Sequence, residues 1–196
     1  MPWCTSTTDG AKSAITPGMP RHIVLLRGIN IGSRRRVDMP ELRELLTGLG
    51  YGDVQTYVQS GNVVLTSRKS AARVERDLEQ EIEAGLGVDA RVVVRTRDEL
   101  ADVIERDPLG DVADNPKFHV VTFLSGEPDK KVAEAIATLD DPAERFVLSG
   151  REIYSWHPDG YGRSQRAKSL TDKRLGVTAT ARNWNTVTKL LAMADE

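Results

Sequence analysis

The order of short apolar runs and amphipathic stretches between residues 22 and 95 leaves few folds open. Residues 22–27 are an apolar run with β-branched members that stops at Gly28, the pattern of a buried strand. Asp38 then opens a helix. It pairs with Glu41 as a capping box, and Val37 and Leu42 stand at the hydrophobic-staple positions. Met39, Leu42, Leu45, Leu46 and Leu49 make one apolar face before Gly50 and Gly52 end it. Residues 54–58 and 62–66 flank Gln59-Ser60-Gly61-Asn62, a tight hairpin in which Gly61 is the residue suited to positive φ. Ser70 caps a second helix with Val74, Leu78, Ile82 and Leu86 inward, stopped at Gly87, and residues 90–95 are a further strand. The result is β-α-β-β-α-β, the ferredoxin-like order.

Thr96 and Glu99 form another capping box, for a helix ended by Pro108. Residues 107–116 read as loop. The pattern then begins again, with a strand at 118–124 and a helix from Pro128. A hairpin of 145–148 and 152–156 follows across Ser149-Gly150, then a helix over 164–175 and a short strand over 177–181. Asn183 caps a last helix with Trp184, Val187, Leu190 and Leu191 inward. The expected class is α+β: two ferredoxin-like halves, each an antiparallel sheet with helices packed on one face. The expected divisions are a flexible tail at 1–19, a first subdomain at 20–96, a linking helix and loop at 97–116, and a second subdomain at 117–196. The tail holds few large apolar residues besides Trp3, so its deletion is expected to change thermal stability little.

Charge narrows the choice of partner. The chain carries a formal −2, against a general DNA-coating role. Yet residues 21–36 and 163–182 each carry a net +5, so the remainder sums to −12. A local positive field in an acidic protein suits a small anion better than a long polymer track. No apolar run approaches the roughly 18 residues that a membrane span needs. Cys4 is the sole cysteine, so no internal disulfide can form, which fits a reducing cytoplasm. The histidines His22, His119 and His157 are isolated except for Asp159 near His157, a weak basis for metal binding. The sequence identifies no cofactor.

Two stretches carry polar residues at strand ends. In Arg27-Gly28-Ile29-Asn30-Ile31-Gly32-Ser33 the spacing of a nucleotide-binding loop is missing, and Asp38 sits where a phosphate would lie. Arg27 ends a strand beside a glycine that allows close approach; a buried ion pair is the competing reading. Gln59-Ser60-Gly61-Asn62 serves either as turn chemistry or as a source of donors. Arg182, in Ala179-Thr180-Ala181-Arg182-Asn183-Trp184, lies next to the cap of the final helix. A cation there is disfavoured by roughly 0.3–1 kcal/mol. That cost points to a functional site, with a distant salt bridge as the alternative, and predicts that removing Arg182 costs little stability. The expected site joins Arg27, Asn30, Gln59, Ser60, Asn62, Arg182 and Asn183 around a small anion in a cleft between the halves. An enzyme acting on such a ligand is one alternative, with His157 or His22 as base; Ser60 or Ser164 with His157 and an Asp would be its triad. A nucleic-acid-associated protein using Arg34, Arg35 and Arg36 is another. The strand positions near Val24, Leu26, Val63 and Leu65 are aliphatic, which disfavours base stacking.

The blocks Leu25-Leu26-Arg27-Gly28-Ile29-Asn30-Ile31-Gly32, Met39-Pro40-Glu41-Leu42, Tyr57-Val58-Gln59-Ser60-Gly61-Asn62-Val63 and Thr180-Ala181-Arg182-Asn183-Trp184-Asn185-Thr186-Val187 resemble the bacterial domain of unknown function 1697 family over residues 21–193. The resemblance implies a two-part α+β protein of ferredoxin-like character and no established activity. Ser33, where the family usually has a second glycine, and the Ser164-to-Lys168 stretch depart from the pattern.

Overall fold

The computed structural model describes residues 19–30 and 37–196. The expectations for the tail, including Trp3 and Cys4, and for Arg34, Arg35 and Arg36 lie outside these residues.

The first unit runs β1 (Arg21–Arg27), α1 (Met39–Gly48), β2 (Gly52–Tyr57), β3 (Asn62–Thr66), α2 (Ala71–Leu86), β4 (Arg91–Thr96) and α3 (Arg97–Glu105). The second repeats it with β5 (His119–Leu124), α4 (Lys130–Ala137), β6 (Arg145–Ser149), β7 (Glu152–Trp156), α5 (Gln165–Ser169), α6 (Asp172–Leu175), β8 (Ala179–Asn183) and α7 (Trp184–Asp195). A 3-10 turn, Tyr161–Arg163, precedes α5. Each unit forms a four-stranded sheet, in the orders β2-β3-β1-β4 and β6-β7-β5-β8. All pairings are antiparallel. The class is α+β with two ferredoxin-like halves.

The strands are apolar on both faces because both faces are covered. Val24, Leu26, Val63, Leu65, Val92 and Val94 point to one side of the first sheet, against Leu42 and Leu46 of α1 and Val74, Leu78 and Ile82 of α2. The intervening residues Ile23, Leu25, Val64 and Val93 point the other way. There they meet Leu100 and Val103 of α3, Val187 and Leu190 of α7, and Val121, Phe123 and Tyr154 of the second sheet. Beyond that sheet, Leu124, Phe146 and Ile153 pack with Ile136 of α4 and Leu175 of α6. The first unit thus keeps α1 and α2 on its outer face and the second keeps α4 and α6, while the last helix of each fills the layer shared by the two sheets.

The caps follow the side chains available. Thr96 and Glu99 bond reciprocally, with Glu99 N to Thr96 Oγ1 at 3.2 Å and Thr96 N to Glu99 Oε2 at 2.7 Å. Asp38 accepts from Glu41 N without the return bond, and Ser70 caps by position only, its hydroxyl making no capping bond. Asp129, one residue after Pro128, caps α4. The helix expected over 164–175 breaks at Leu170 (ψ 67°), and Thr171 begins α6.

The β2–β3 turn is strained. Gly61 has φ 72°, and a Cβ there would lie 2.6 Å from Ile29 Cδ1 and 2.7 Å from Leu26 Cβ. Val58 has φ 51° while 51% exposed, so a β-branched side chain sits in the left-handed region without burial to compensate. Val58→Gly is expected to raise stability by about 1 kcal/mol, the left-handed penalty removed. Gly61→Ala is expected to lower it by about 2–4 kcal/mol, from strain plus overpacking. Urea denaturation of both variants checks this; equal midpoints would contradict it.

Candidate functional site

Arg182 is the residue before the Asn183 cap, on β8 opposite Val121. Strand geometry aims its side chain away from the helix it precedes and into the first unit. Nη2 donates to the carbonyls of Leu26 at 2.8 Å and Ser60 at 3.0 Å. Nη1 donates to Thr180 Oγ1 at 2.7 Å and to Ala181 O at 2.8 Å, and Nε donates to Asn62 Oδ1. Every guanidinium N–H is therefore used. Its acceptors are all neutral, and no carboxylate pairs with it among the described residues. Only 9% of the residue is exposed, and burial lowers its pKa to about 10.

Arg95 is the same residue in the first unit, immediately before the Thr96 cap of α3. Its Nη1 donates to Val94 O at 3.0 Å, as Arg182 does to Ala181. Its Nη2 reaches across to Leu124 O at 2.7 Å and Arg151 O at 3.2 Å. The receiving strands match as well: Leu26 N donates to Gly61 O, and Leu124 N to Arg151 O. The residue after each of those carbonyls meets the arginine Nε. In the second unit it is Glu152, at 2.8 Å; in the first it is Asn62. The two units therefore clasp each other by reciprocal arginines. One arginine is charge-neutralised, and the other is not.

A cleft of about 430 Å³ opens beside Arg182, between the units. Of the residues expected to form a site, Arg27, Ser60 and Arg182 line it. Arg27 is paired with Asp172 of α6, whose other oxygen accepts from Ala179 N at 3.1 Å. The Ser60 hydroxyl accepts from Asn62 Nδ2 at 2.9 Å. Asn62 is fully buried behind it, its amide also donating to Tyr57 O at 3.0 Å. The remaining three hold the backbone. Asn30 (φ 55°) donates to Val37 O and Gln59 O and accepts from Val37 N, tying the ends of the intervening loop to the turn. Gln59 contributes that carbonyl. Asn183 caps α7 through Thr186 N at 3.0 Å and Thr186 Oγ1 at 2.9 Å. Tyr161, Leu170 and Thr180 also line the cleft. Thr180 was within reach of sequence reasoning, lying in the same block as Arg182; Tyr161 and Leu170 carried no signal.

Arg182 does not oppose the dipole of the final helix as its sequence position suggests. Its charge lies in the other unit, and its removal would strand several acceptors. The triad readings with Ser60 or Ser164 and an Asp are corrected too. His157 Nδ1 lies 3.2 Å from Glu144 Oε1, and Nε2 lies 2.9 Å from Ser155 Oγ. Ser164 instead donates to Glu144 Oε2 at 2.9 Å. His157 has no exposure, lies edge-on to Phe146 and Tyr161, and has its pKa lowered by burial, which Glu144 opposes. His22 is equally enclosed, near Ser67 O. Neither histidine lines the cleft. Among the described residues, no group of His, Cys, Asp and Glu is arranged to hold a metal, and no helix is long and apolar enough to cross a membrane.

These features define an α+β protein of two tandem ferredoxin-like units, clasped by two buried arginines, with a cleft beside Arg182. The chain belongs to the DUF1697 family of proteins of unknown function, whose model matches residues 19–154. The match takes in the Arg27 loop, the β2–β3 turn and Arg95, and stops before β8. Among solved structures the chain is similar to the conserved bacterial protein SP0830 from Streptococcus pneumoniae. That protein is 26% identical, with a TM-score of 0.68 over 90% of this chain and 99% of that one. No curated protein matches it.

Arg95→Ala is expected to lose about 3–5 kcal/mol, since it leaves Glu152 buried and unpaired. Arg182→Ala is expected to lose about 3 kcal/mol, from Leu26 O, Ser60 O and Asn62 Oδ1 left without donors. Denaturant titration measures both. A loss below about 0.5 kcal/mol, the range of ordinary surface changes, would show that the clasps do not hold the units together.

Proposed function

We propose that the protein is a cytoplasmic binding protein that takes a small anionic ligand, phosphorylated or nucleotide-like ligands included, in the cleft between its two units. The observation that carries this reading is the charge difference between the clasps. Arg95 meets the carboxylate of Glu152, whereas Arg182, as deeply set, meets the amide of Asn62. A buried charge without a counter-charge is costly, and an anion in the adjoining cleft offsets that cost. Arg27 at the cleft wall supports the reading. Its pair with Asp172 is about a third exposed on both sides, and such pairs contribute little, about 0–1 kcal/mol, so a ligand can compete for it. Among the described residues, neither His22 nor His157 reaches the cleft, so neither histidine serves the alternative of an enzyme as a base there.

The test uses the two clasps against each other. Thermal unfolding is measured in sodium sulfate and in sodium chloride of equal ionic strength, because sulfate also stabilises proteins by exclusion from their surface. The wild type is expected to gain several degrees more in sulfate. Asn62→Asp, which gives Arg182 the counter-charge that Arg95 already has, is expected to stay folded and to lose that extra gain. Glu152→Gln, which uncovers Arg95, is expected to increase it. A wild type with no sulfate-specific gain, or an Asn62→Asp variant that keeps it, overturns the proposal.

A further inference from the structure

Resting on that reading, the geometry points to a narrower ligand class. We propose that the cleft selects a monocarboxylate with an apolar body, held by the hydroxyls of Ser60 and Thr180, over a phosphate dianion.

Arg182 cannot be the direct donor, because every one of its N–H groups is engaged. It acts through its field and through Thr180. The Thr180 oxygen accepts from Arg182 Nη1 at 2.7 Å, so its lone pairs face the cation and its proton is left to donate. Ser60 is placed in the same way. Its oxygen accepts from Asn62 Nδ2 at 2.9 Å, and its hydroxyl donates to none of the described residues. Ser60 belongs to the first unit and Thr180 to the second, and both line the cleft next to the same guanidinium. Two hydroxyls free to donate, one from each unit, are the number that the two oxygens of one carboxylate can take.

Charge sets the limit. Arg27 is balanced by Asp172, which leaves Arg182 as the one uncompensated cation among the described lining residues. A monoanion balances it. Among the described lining residues the second charge of a dianion has no partner unless it takes Arg27, and that frees the Asp172 carboxylate beside the cleft, so a dianion such as sulfate still binds but more weakly than a monoanion. The rest of the wall is supplied by Leu26, Ile29, Tyr161, Leu170 and alanines, a surface for an apolar or aromatic body.

Isothermal titration calorimetry at pH 8 compares 3-phenylpropionate with phenyl phosphate, which is a dianion well above its second pKa of about 6. Inorganic phosphate and neutral 3-phenylpropionamide are the controls. The carboxylate is expected to bind at least about tenfold more tightly than either phosphate, and the amide not measurably. Ser60→Ala and Thr180→Val are each expected to weaken the carboxylate about tenfold, one charge-assisted hydrogen bond, while Thr180→Ser keeps it. Circular dichroism confirms that each variant is folded. Tighter binding of phenyl phosphate, or carboxylate binding indifferent to both hydroxyl removals, overturns the monocarboxylate assignment while leaving a small-anion site in place. Binding of no anion at all overturns both.

Discussion

A guanidinium taken out of water must find an acceptor for every N–H, and that demand organises the contact between the two units. Neither unit supplies enough acceptors alone. Arg95 has only Val94 O at home and takes the rest from the end of β5 and the start of β7. Arg182 takes the carbonyls of Leu26 and Ser60 and the amide oxygen of Asn62 from the first unit, matching Arg95 at Leu26 and Asn62 and lying one residue off at Ser60. Arg151 O accepts from Leu124 N as well as from Arg95, so there the arginine joins an existing backbone contact between strands. The non-directional core of α3, α7 and the facing sheets drives the units together; the clasps fix their register, because a displaced guanidinium loses several bonds together.

The duplication also exposes what differs. Matching backbone bonds, Leu26 N to Gly61 O and Leu124 N to Arg151 O, set Asn62 and Glu152 in equivalent places. Burial lowers the pKa of both arginines, and around Arg95 the Glu152 charge pushes the other way. Around Arg182 no described residue does. A carboxylate at this position would meet Arg182 but could not donate to Tyr57 O, as the Asn62 amide does. The amide at Asn62 keeps the hydrogen bond and leaves the charge unbalanced, and it lies beside the cleft rather than far from it.

The elements were legible in the sequence because their periods are clean: strand runs of about six residues, and helices with leucine and isoleucine at three- and four-residue spacing. Both sheets and nearly all helices follow from that, including the Thr96–Glu99 box. Misplaced details were local. Leu170 breaks a helix that periodicity carried through, and Ser70 has the right identity for a cap without making the bond. The site was legible in part. Arg182 drew attention through its clash with the helix dipole, yet the side chain is long enough to leave that dipole behind, so the right residue was reached by a cost it does not bear. Arg95 carries no such signal, because it ends the apolar run Val92-Val93-Val94 at a strand terminus, where an arginine ordinarily meets solvent. Its meaning lies in residues such as Glu152, far along the chain, which no local pattern connects to it. Asn30 and Asn183 looked like ligand donors and instead satisfy backbone groups, the more frequent employment of asparagine at turns and caps.

The cleft and the clasp share residues, so on the proposed reading ligand occupancy would be coupled to the stability of the whole molecule. Ser60 lines the cleft and offers its carbonyl to Arg182, and Thr180 lines the cleft and accepts from the same guanidinium. An anion that balances Arg182 acts on the same charge whose burial opposes folding. Bound ligand must then stabilise the contact between the units as well as the fold, by an amount that grows with the logarithm of ligand concentration over Kd. The turn carries part of the cost in advance. Val58 and Asn30 hold left-handed backbone, and Gly61 admits no side chain; together they bring Ser60 O and Asn62 Oδ1 within reach of one guanidinium. Relaxing the turn would free that local strain but withdraw the acceptors, so strain of about 1–3 kcal/mol per residue persists because the clasp outweighs it.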